Sequence, residues 1–194
     1  MPVALMPVAT SARLGFAGKL PSRGDFVARG LPRGFLEAWD DWLGTVMPGS
    51  KEILGETWLP AWLEAPIWRF ALPGGQAGPD AVAGVLLPSV DRAGRNWPLT
   101  LAVVLPGRVT APVPDAEWYA ALEAIGLDAV LGDVTPEDIE ARLPDFVESI
   151  AEMPSGWWTE GSPRVAAQHF SAGALPGPAA FARMLDDGSV AEAP

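Results

Sequence analysis

The stretch GKLPSRGDF at positions 18–26 concentrates side chains that could bind a charged group or take part in a reaction. It holds Lys19, Ser22, Arg23 and Asp25 among two glycines and a proline. The lysine is followed by leucine and proline, and no glycine-rich loop precedes it, which excludes a Walker-type phosphate loop. A serine is activated by an adjacent base, and this stretch offers no evident base for Ser22. Partner binding, contacts that hold the fold and a solvated turn are all compatible with it.

A second stretch, SVDRAGRNWPL, gathers two guanidinium groups, a carboxylate and a hydroxyl in a predicted turn between two apolar strands: Ser89, Asp91, Arg92 and Arg95. One interpretation is that the arginines solubilise an exposed turn and pair with the neighbouring carboxylate for well under ~1 kcal/mol. The other is that they bind a carboxylate of the first stretch, such as Asp25, and hold the two loops together. Arginine suits that task because its planar fork can donate to both oxygens of a carboxylate. The residues leave both interpretations open.

Two adjacent tryptophans, Trp157 and Trp158 in PSGWWTEGS, form a third candidate site. Neighbouring side chains of a regular element point in different directions, so both indoles do not easily pack inward. One alternative is that they line a pocket or a partner surface, and the other is local packing under a loop. Most of the nine tryptophans fall instead at helical or strand spacing, which predicts core positions for them.

No other pattern predicts a catalytic or metal site. The chain has a single histidine, His169, and no cysteine, so it cannot assemble the usual ligands of a zinc site. Its paired acidic residues are neighbours on predicted helices, where adjacent side chains diverge. The glycine-rich PGGQAGPD lacks the GK[ST] that grips a nucleotide phosphate, and no GxSxG occurs. The sequence therefore predicts no catalytic residue, no metal and no cofactor.

The charge of the chain restricts its partners. Thirteen Lys and Arg residues against 24 Asp and Glu residues give a net charge of −11. Such a field repels nucleic acids and anionic lipid headgroups. The N-terminus lacks the basic and continuous apolar regions of a secretory signal, and no apolar run approaches the ~20 residues that span a bilayer. We therefore predict a cytoplasmic protein without nucleic-acid or membrane partners.

The periodicity of apolar residues predicts helices that flank a central sheet. Helices are predicted at 32–47, at 51–64, from Asp115, from Thr135 and at 178–187. Strands are predicted at 13–18, 67–72, 82–90, 97–105 and 164–171. Pro48-Gly49 is expected to end the first helix. Together these elements predict one α/β domain with a mixed, partly antiparallel sheet over residues 14–187, and flexible tails at 1–13 and 188–194.

The chain resembles the TagF family, also called ImpM, whose members are type VI secretion-associated proteins of Gram-negative bacteria. Six stretches that occur in order between Leu14 and Leu185 carry the resemblance: GFAGKLPSRGDFVARGLP, WDDWL, IWRFAL, GVLLPSVDRAGRNWPLT, WWTEGS and LPGPAAFARML. The departures are mild. Ala17 stands where an aromatic residue is common, and Asn96-Trp97 varies the usual exit from the turn.

The resemblance implies a three-layer α/β/α sandwich and a cytoplasmic, non-enzymatic accessory protein. Members of the family are similar in restraining type VI secretion after translation by acting on the forkhead-associated scaffold protein of the system. No catalytic residue carries over from the family. A structural or interaction role is implied for the residues that match its motifs: Lys19, Ser22, Arg23, Asp25, Arg69, Ser89, Asp91, Arg92 and Arg95.

Two alternatives come from other classes of protein. A ligand-binding protein, or an enzyme, could use a cleft of arginine, aspartate and serine side chains to bind a phosphorylated group. A structural subunit of the secretion apparatus would copurify in fixed stoichiometry with the assembled machine. The leading hypothesis is a regulator that acts through a protein partner.

Overall fold

The computed structural model of the chain describes residues 12–149, 155–171 and 173–189. The strands in these ranges form one sheet: β1 (Arg13–Gly18), β2 (Val27–Arg29), β3 (Trp68–Leu72), β4 (Ala81–Leu87), β5 (Leu99–Leu105), β6 (Gly156–Thr159) and β7 (Gln168–Phe170). The helices are α1 (Arg33–Leu54), α2 (Trp58–Leu63), α3 (Ala116–Leu131), α4 (Pro136–Arg142) and α5 (Pro178–Leu185). A 3-10 turn at Gly55–Thr57 lies between α1 and α2.

The sheet has the strand order β2-β1-β5-β4-β3-β6-β7, and each neighbouring pair in the described part of the chain is antiparallel. The α/β class predicted from the sequence is therefore confirmed, whereas the predicted mixed character of the sheet is not found among these strands. Short connections join β3 to β4, β4 to β5 and β6 to β7. Strands that are joined by so short a connection pair antiparallel, because a parallel pair needs a crossover of a dozen residues or more.

The central strands β4 and β5 are buried at every position. Helices cover both faces of the sheet, which explains why these strands read as almost continuous apolar runs. On one face, Val82 and Leu86 of β4 pack in a core with residues of α1, α2 and α5. On the other face, Val85 and Leu87 of the same strand pack with residues of α3 and α4.

Helix α1 presents to the first core the apolar stripe that its sequence predicts: Phe35, Trp39, Trp42, Leu43, Val46 and Met47. The prediction that Pro48-Gly49 ends this helix is wrong, because α1 continues to Leu54. Proline removes one helical hydrogen bond, but Met47 before it and Ser50 after it are both buried. Packing of both halves against the core stabilises the helix across the proline.

Two helix starts follow their predicted capping residues. The carboxylate of Asp115 accepts a hydrogen bond from the backbone N–H of Glu117 at 2.8 Å and caps α3. Thr135 and Asp138 form a reciprocal capping box at the start of α4, with Pro136 at the first helical position. These local contacts satisfy backbone N–H groups that have no partner inside the helix.

Three features, in the outer strands of the sheet and at the ends of the chain, differ from the prediction or lie largely outside the described residues. Strands β2 and β6 were not predicted, and β7 is shorter than the predicted strand at 164–171. The predicted tails at 1–13 and 188–194 lie mostly outside the described residues, although Arg13 already begins β1. Edge strands as short as β2 and β7 have little room for a periodic signal.

Candidate functional site

The loop after β1 and the loop after β4 meet at the carboxylate of Asp91. Its Oδ2 lies 3.0 Å from Nζ of Lys19 and accepts a hydrogen bond from Nε of Arg95 at 2.7 Å. Its Oδ1 accepts hydrogen bonds from the backbone N–H groups of Ala93 and Arg95, both at 2.9 Å. The side chain of Asp91 is fully buried. We name the contacts between these loops the two-loop junction, formed by Lys19, Ser22, Ser89, Asp91, Arg92 and Arg95.

The junction holds Asp91 in its charged form. Burial alone would raise the pKa of this carboxyl, because the charged form loses its hydration. The backbone N–H of Arg95 opposes that effect most strongly, followed by the ammonium of Lys19, the guanidinium of Arg95 and the backbone N–H of Ala93. The pKa of Asp91 consequently lies well below its usual range.

The two arginines bind backbone carbonyls of the first loop. The Nη2 group of Arg92 donates to the carbonyl of Ser22, and Nη2 of Arg95 donates to the carbonyl of Gly24 at 2.6 Å. One of the two interpretations of the sequence was that the arginines bind a carboxylate of the first loop such as Asp25. In the structure they bind carbonyl groups of that loop instead. Asp25 itself is exposed and forms no salt bridge in the part of the chain that the structure describes.

Both serines of the two-loop junction are buried and act as hydrogen-bond donors. Ser89 Oγ donates to the carbonyl of Lys19 at 2.7 Å, and Ser22 Oγ donates to the carbonyl of Val134 at 2.8 Å. The first bond joins the two loops, and the second fixes the first loop to the segment before α4. Neither bond resembles the contact with a base that activates a serine nucleophile.

Arg23 lies at the surface beside the junction. Its Nη2 is 3.5 Å from the carboxylate of Glu137 on α4, and Arg29 on β2 is 3.1 Å from the same group. The side chain of Arg23 is 48% exposed, so this pair lies in solvent. An exposed pair of this kind contributes little to stability. Because its side chain is half exposed, the guanidinium of Arg23 is accessible to a partner.

Arg69 lies apart from the two-loop junction, on the face of the sheet covered by α3. Its guanidinium donates to both carboxylate oxygens of Glu123, at 2.6 and 3.0 Å, and lies 3.6 Å from Glu160. The hydrogen bonds from Arg69 to Glu123 raise the pKa of the guanidinium above its ordinary value. The same guanidinium lies over the ring of the buried Tyr119. Arg69 therefore ties β3 to α3 and does not contribute to a common charged cleft.

The two adjacent tryptophans pack on opposite faces of β6. Trp157 is fully buried in the first core, near Trp39 and Phe70. Trp158 is half-buried against the second core, with its ring edge-to-face on Tyr119. The predicted partner surface therefore needs correction at Trp157, since helices cover both faces of β6 and give each indole a side on which to pack. Trp158 keeps a partly exposed surface.

Several contacts of these residues had no signal in the sequence. The carbonyls of Ser22, Gly24 and Val134 accept hydrogen bonds through the backbone, and any residue type carries such a carbonyl. Glu123 lies beside the buried stripe of a predicted helix, but nothing in its spacing connects it to Arg69 on a distant strand. These acceptors became identifiable once the fold had brought the elements together.

The described ranges contain no group of three or more His, Cys, Asp or Glu side chains placed to hold a metal ion. Among the helices in these ranges, none is both long and apolar enough to cross a membrane. Fold and site together define an α/β protein with an antiparallel sheet. Its two charged loops, after β1 and after β4, are distant in sequence and in contact in the structure. Residues 15–146 match the model of the TagF N-terminal domain, which is described as type VI secretion system-associated. The chain belongs to the TagF family.

A solved structure supports this assignment over nearly the whole chain. The chain is 34% identical to PA0076 from Pseudomonas aeruginosa PAO1, whose crystal structure superposes with a TM-score of 0.77. The similarity covers 90% of this chain and 94% of the other. The search of curated proteins gives no match. The family resemblance noted in the sequence is thereby confirmed.

Proposed function

We propose that this chain is a non-enzymatic, cytoplasmic accessory protein that represses type VI secretion after translation by binding the forkhead-associated scaffold protein of the system. The observation that carries the proposal is membership of a type VI secretion-associated family, with a match over residues 15–146. The similarity to PA0076 extends over 90% of the chain, so most of the fold is shared with a relative. An accessory role of this kind acts through a protein partner.

The contacts of the two-loop junction support a role in holding the fold. Lys19 and Arg95 bind the carboxylate of Asp91, and Arg92 binds a carbonyl of the first loop. A phosphate would have to compete with these internal partners for the same cations. This favours the protein–protein regulator over a phosphate-binding cleft. Arg23, exposed beside the junction, is the member of the loop that we assign to the regulatory surface.

A binding measurement between the purified chain and the purified scaffold protein tests the proposal. We expect a saturable complex by biolayer interferometry, and we expect Arg23→Glu to weaken it while leaving the circular dichroism spectrum intact. Arg33→Glu is the matched control, because the Arg33 side chain is 90% exposed and pairs with Glu37 on its own helix. Absence of a complex with the unmodified chain would contradict the proposal.

Arg95→Glu is unsuitable for that test. It would place a second carboxylate next to the buried Asp91, which Arg95 now neutralises. We expect this variant to unfold at lower temperature, so a loss of binding would not identify a surface. Its behaviour instead reports on the fold-holding role of the two-loop junction.

Thermal denaturation separates the proposed regulator from a ligand-binding protein. A ligand present at 100 times its Kd adds ~2.7 kcal/mol to the free energy of unfolding. We expect no upward shift of Tm with phosphate, nucleotides or a phosphothreonine peptide. A clear shift with any of them would favour the phosphate-binding alternative, and stoichiometric copurification with the assembled apparatus would favour a structural subunit.

A further inference from the structure

An apolar groove lies between α2, α3 and the end of β4, and none of the charged residues of the two-loop junction lines it. We name it the α2–α3 groove. Its cavity has a volume of about 250 Å³. The side chains that shape it are large and apolar: Trp62, Leu63, Leu87, Leu127, Val130 and Leu131. The residues around Ser89 and Val90 close one end of the groove, so it borders the loop after β4.

Three of the eight large apolar residues that are exposed in the described ranges line this groove. Leu131 is 82% exposed, Leu63 is 68% exposed and Leu127 is 41% exposed. Leu59, one turn before Leu63 on α2, is 49% exposed. Single exposed leucines are normal on a protein surface, but a contiguous set around a cavity marks an interaction site. The burial of these side chains by a partner would remove that apolar surface from water.

The backbone around the groove restricts the conformation of its occupant. Strand β4 pairs with β3 on one side and β5 on the other, so it has no free edge for an added strand. The carbonyl of Ser89 already accepts hydrogen bonds from Nε1 of Trp62 at 3.3 Å and the backbone N–H of Trp97 at 3.1 Å. A peptide segment in the groove must therefore satisfy its own N–H and C=O groups, which a helix does.

The charge of the chain restricts the occupant further. Neither α2 nor α3 contains a lysine or arginine. Glu64 and Asp128 are adjacent in sequence to the lining residues Leu63 and Leu127, and they pair with Arg164 and Arg142. The field at the groove therefore reflects the overall charge of −11 and the exposed carboxylate of Asp133, two residues after Leu131. A negative field attracts a partner of positive charge and speeds its association.

We propose that the α2–α3 groove docks an amphipathic helix of a protein partner, with leucine-like side chains in the groove and lysine or arginine residues on its flanks. Apolar anchors spaced three and four residues apart would lie along one face of that helix. This inference rests on the proposed function in one respect: it takes this chain to act by binding a protein, and it assigns the groove as a surface for that contact. The groove does not include Arg23, and it borders the two-loop junction at Ser89.

The test uses a fluorescein-labelled Leu/Lys peptide of about four helical turns, with leucines spaced for one face of a helix. Anisotropy measures its binding to the full chain. We expect Leu131→Asp and Leu63→Asp to weaken binding by about tenfold or more. Val109→Asp is the matched control, because Val109 is 71% exposed and lies outside the groove, and it is expected to change Kd by less than about twofold.

The added carboxylate makes this comparison stringent. Non-specific attraction of a basic peptide would grow stronger in each Asp variant, so only occupation of the groove predicts weaker binding. A peptide of the same composition with alternating Leu and Lys, the pattern of a strand, is expected to bind about tenfold more weakly. Equal binding by both peptides, no binding by either, or equal effects of Leu131→Asp and Val109→Asp would overturn the inference.

Measurement of Tm verifies that each variant folds. Leu131→Asp is the less disruptive of the two groove variants, because the Leu131 side chain is mostly in solvent.

The same variants separate this inference from the proposed function. If the scaffold protein binds the chain and Leu131→Asp binds it equally well, the groove assignment is wrong and the proposed function stands. If the helical peptide binds in the groove but the scaffold protein does not bind the chain, the proposed function is wrong and the groove assignment stands. Weakened binding of both peptide and scaffold by Leu131→Asp, with Val109→Asp unaffected, supports both.

Discussion

Lys19 places its Nζ 3.0 Å from Oδ2 of Asp91, and the carboxylate that it meets is fully buried. The two residues belong to different loops, so the pair fixes the loop after β1 against the loop after β4. Arg95 and two backbone N–H groups bind the same carboxylate. Asp91 is thus the carboxylate that Lys19, Arg95 and two backbone N–H groups of the two-loop junction share.

Replacing Asp91 by asparagine is expected to destabilise the protein. The variant keeps an oxygen that can accept from the backbone N–H groups, but its amide N–H₂ would face the cations of Lys19 and Arg95. Breaking a buried ion pair is strongly unfavourable, and we expect Tm to fall by roughly 6–12 °C. Asp25→Asn is the control, because Asp25 is exposed. This substitution is expected to change the free energy of unfolding by no more than about 0.5 kcal/mol. Equal Tm values for the two variants would contradict the central position of Asp91.

The contribution of Asp91 to stability is expected to depend on pH. Its pKa is lower in the folded protein than in the unfolded chain, where a free Asp titrates at about 3.9. The stabilisation is therefore fully present above that value and is lost as pH falls towards the folded pKa. The difference in free energy of unfolding between the unmodified chain and Asp91→Asn, measured in urea, is expected to be constant from about pH 5 to 8 and to shrink below about pH 4. A difference that grows on acidification would contradict this assignment.

Periodicity accounts for the parts of this fold that the sequence predicts well. The stripe of α1 and the apolar runs of β4 and β5 repeat over enough residues to identify both the element and its buried face. The helix starts at Asp115 and Thr135 are local and depend on a few neighbouring residues. All of these features are decided by contacts close in sequence or by one repeated pattern.

The site was harder to predict because its partners are distant and partly backbone groups. The sequence singled out Arg92 and Arg95 and raised contact between the two loops as one of two interpretations, with a carboxylate such as Asp25 as the partner. Carboxylates are visible in a sequence, whereas the carbonyls of Ser22 and Gly24 are not. The sequence also left open whether Trp157 is packed or exposed, since the burial of both faces of β6 depends on helices far away in the chain.

Arg92→Lys tests whether the junction needs the guanidinium or only its charge. Lysine keeps the positive charge but is a point charge without the planar fork of arginine, so we expect it to lose the hydrogen bond to the carbonyl of Ser22. Loss of one such bond is expected to cost about 1 kcal/mol and to lower Tm by about 2–4 °C. The same change at Arg33, which is 90% exposed, provides the control and is expected to leave Tm nearly unchanged. If Arg92→Lys leaves Tm unchanged, the two-loop junction needs only the positive charge at this position and not the guanidinium.

The pair of Arg69 and Glu123 is expected to stabilise the packing of α3 on the sheet. Both side chains are largely buried, at 17% and 21% exposure, and they share two hydrogen bonds. A double-mutant cycle with Arg69→Met and Glu123→Gln is expected to give a coupling energy of about 1–3 kcal/mol from urea denaturation. Near-additive effects would mean that each side chain contributes through packing alone.

The contact between α1 and α5 depends on the absence of a side chain at Gly49. A Cβ atom at this position would lie 2.6 Å from Cβ of Pro178 and 2.9 Å from its Cγ. Pro178 is the first residue of α5, and its ring cannot move away without displacing that helix. We therefore expect Gly49→Ala to lower the free energy of unfolding by about 1–3 kcal/mol, as overpacking of a core does.

Gly44 on the same helix provides the opposite expectation. It is exposed, and a Cβ at this position would meet no atom within 4 Å beyond its chain neighbours and the backbone of its own helix. Alanine is the better helix former, so Gly44→Ala is expected to raise the free energy of unfolding by about 0.5–1 kcal/mol. Urea denaturation of the two variants compares the same chemical change in one helix, with and without a neighbour. If both variants stabilise the protein, α1 and α5 do not pack as closely as Gly49 and Pro178 indicate, because only a close contact makes the added methyl group unfavourable.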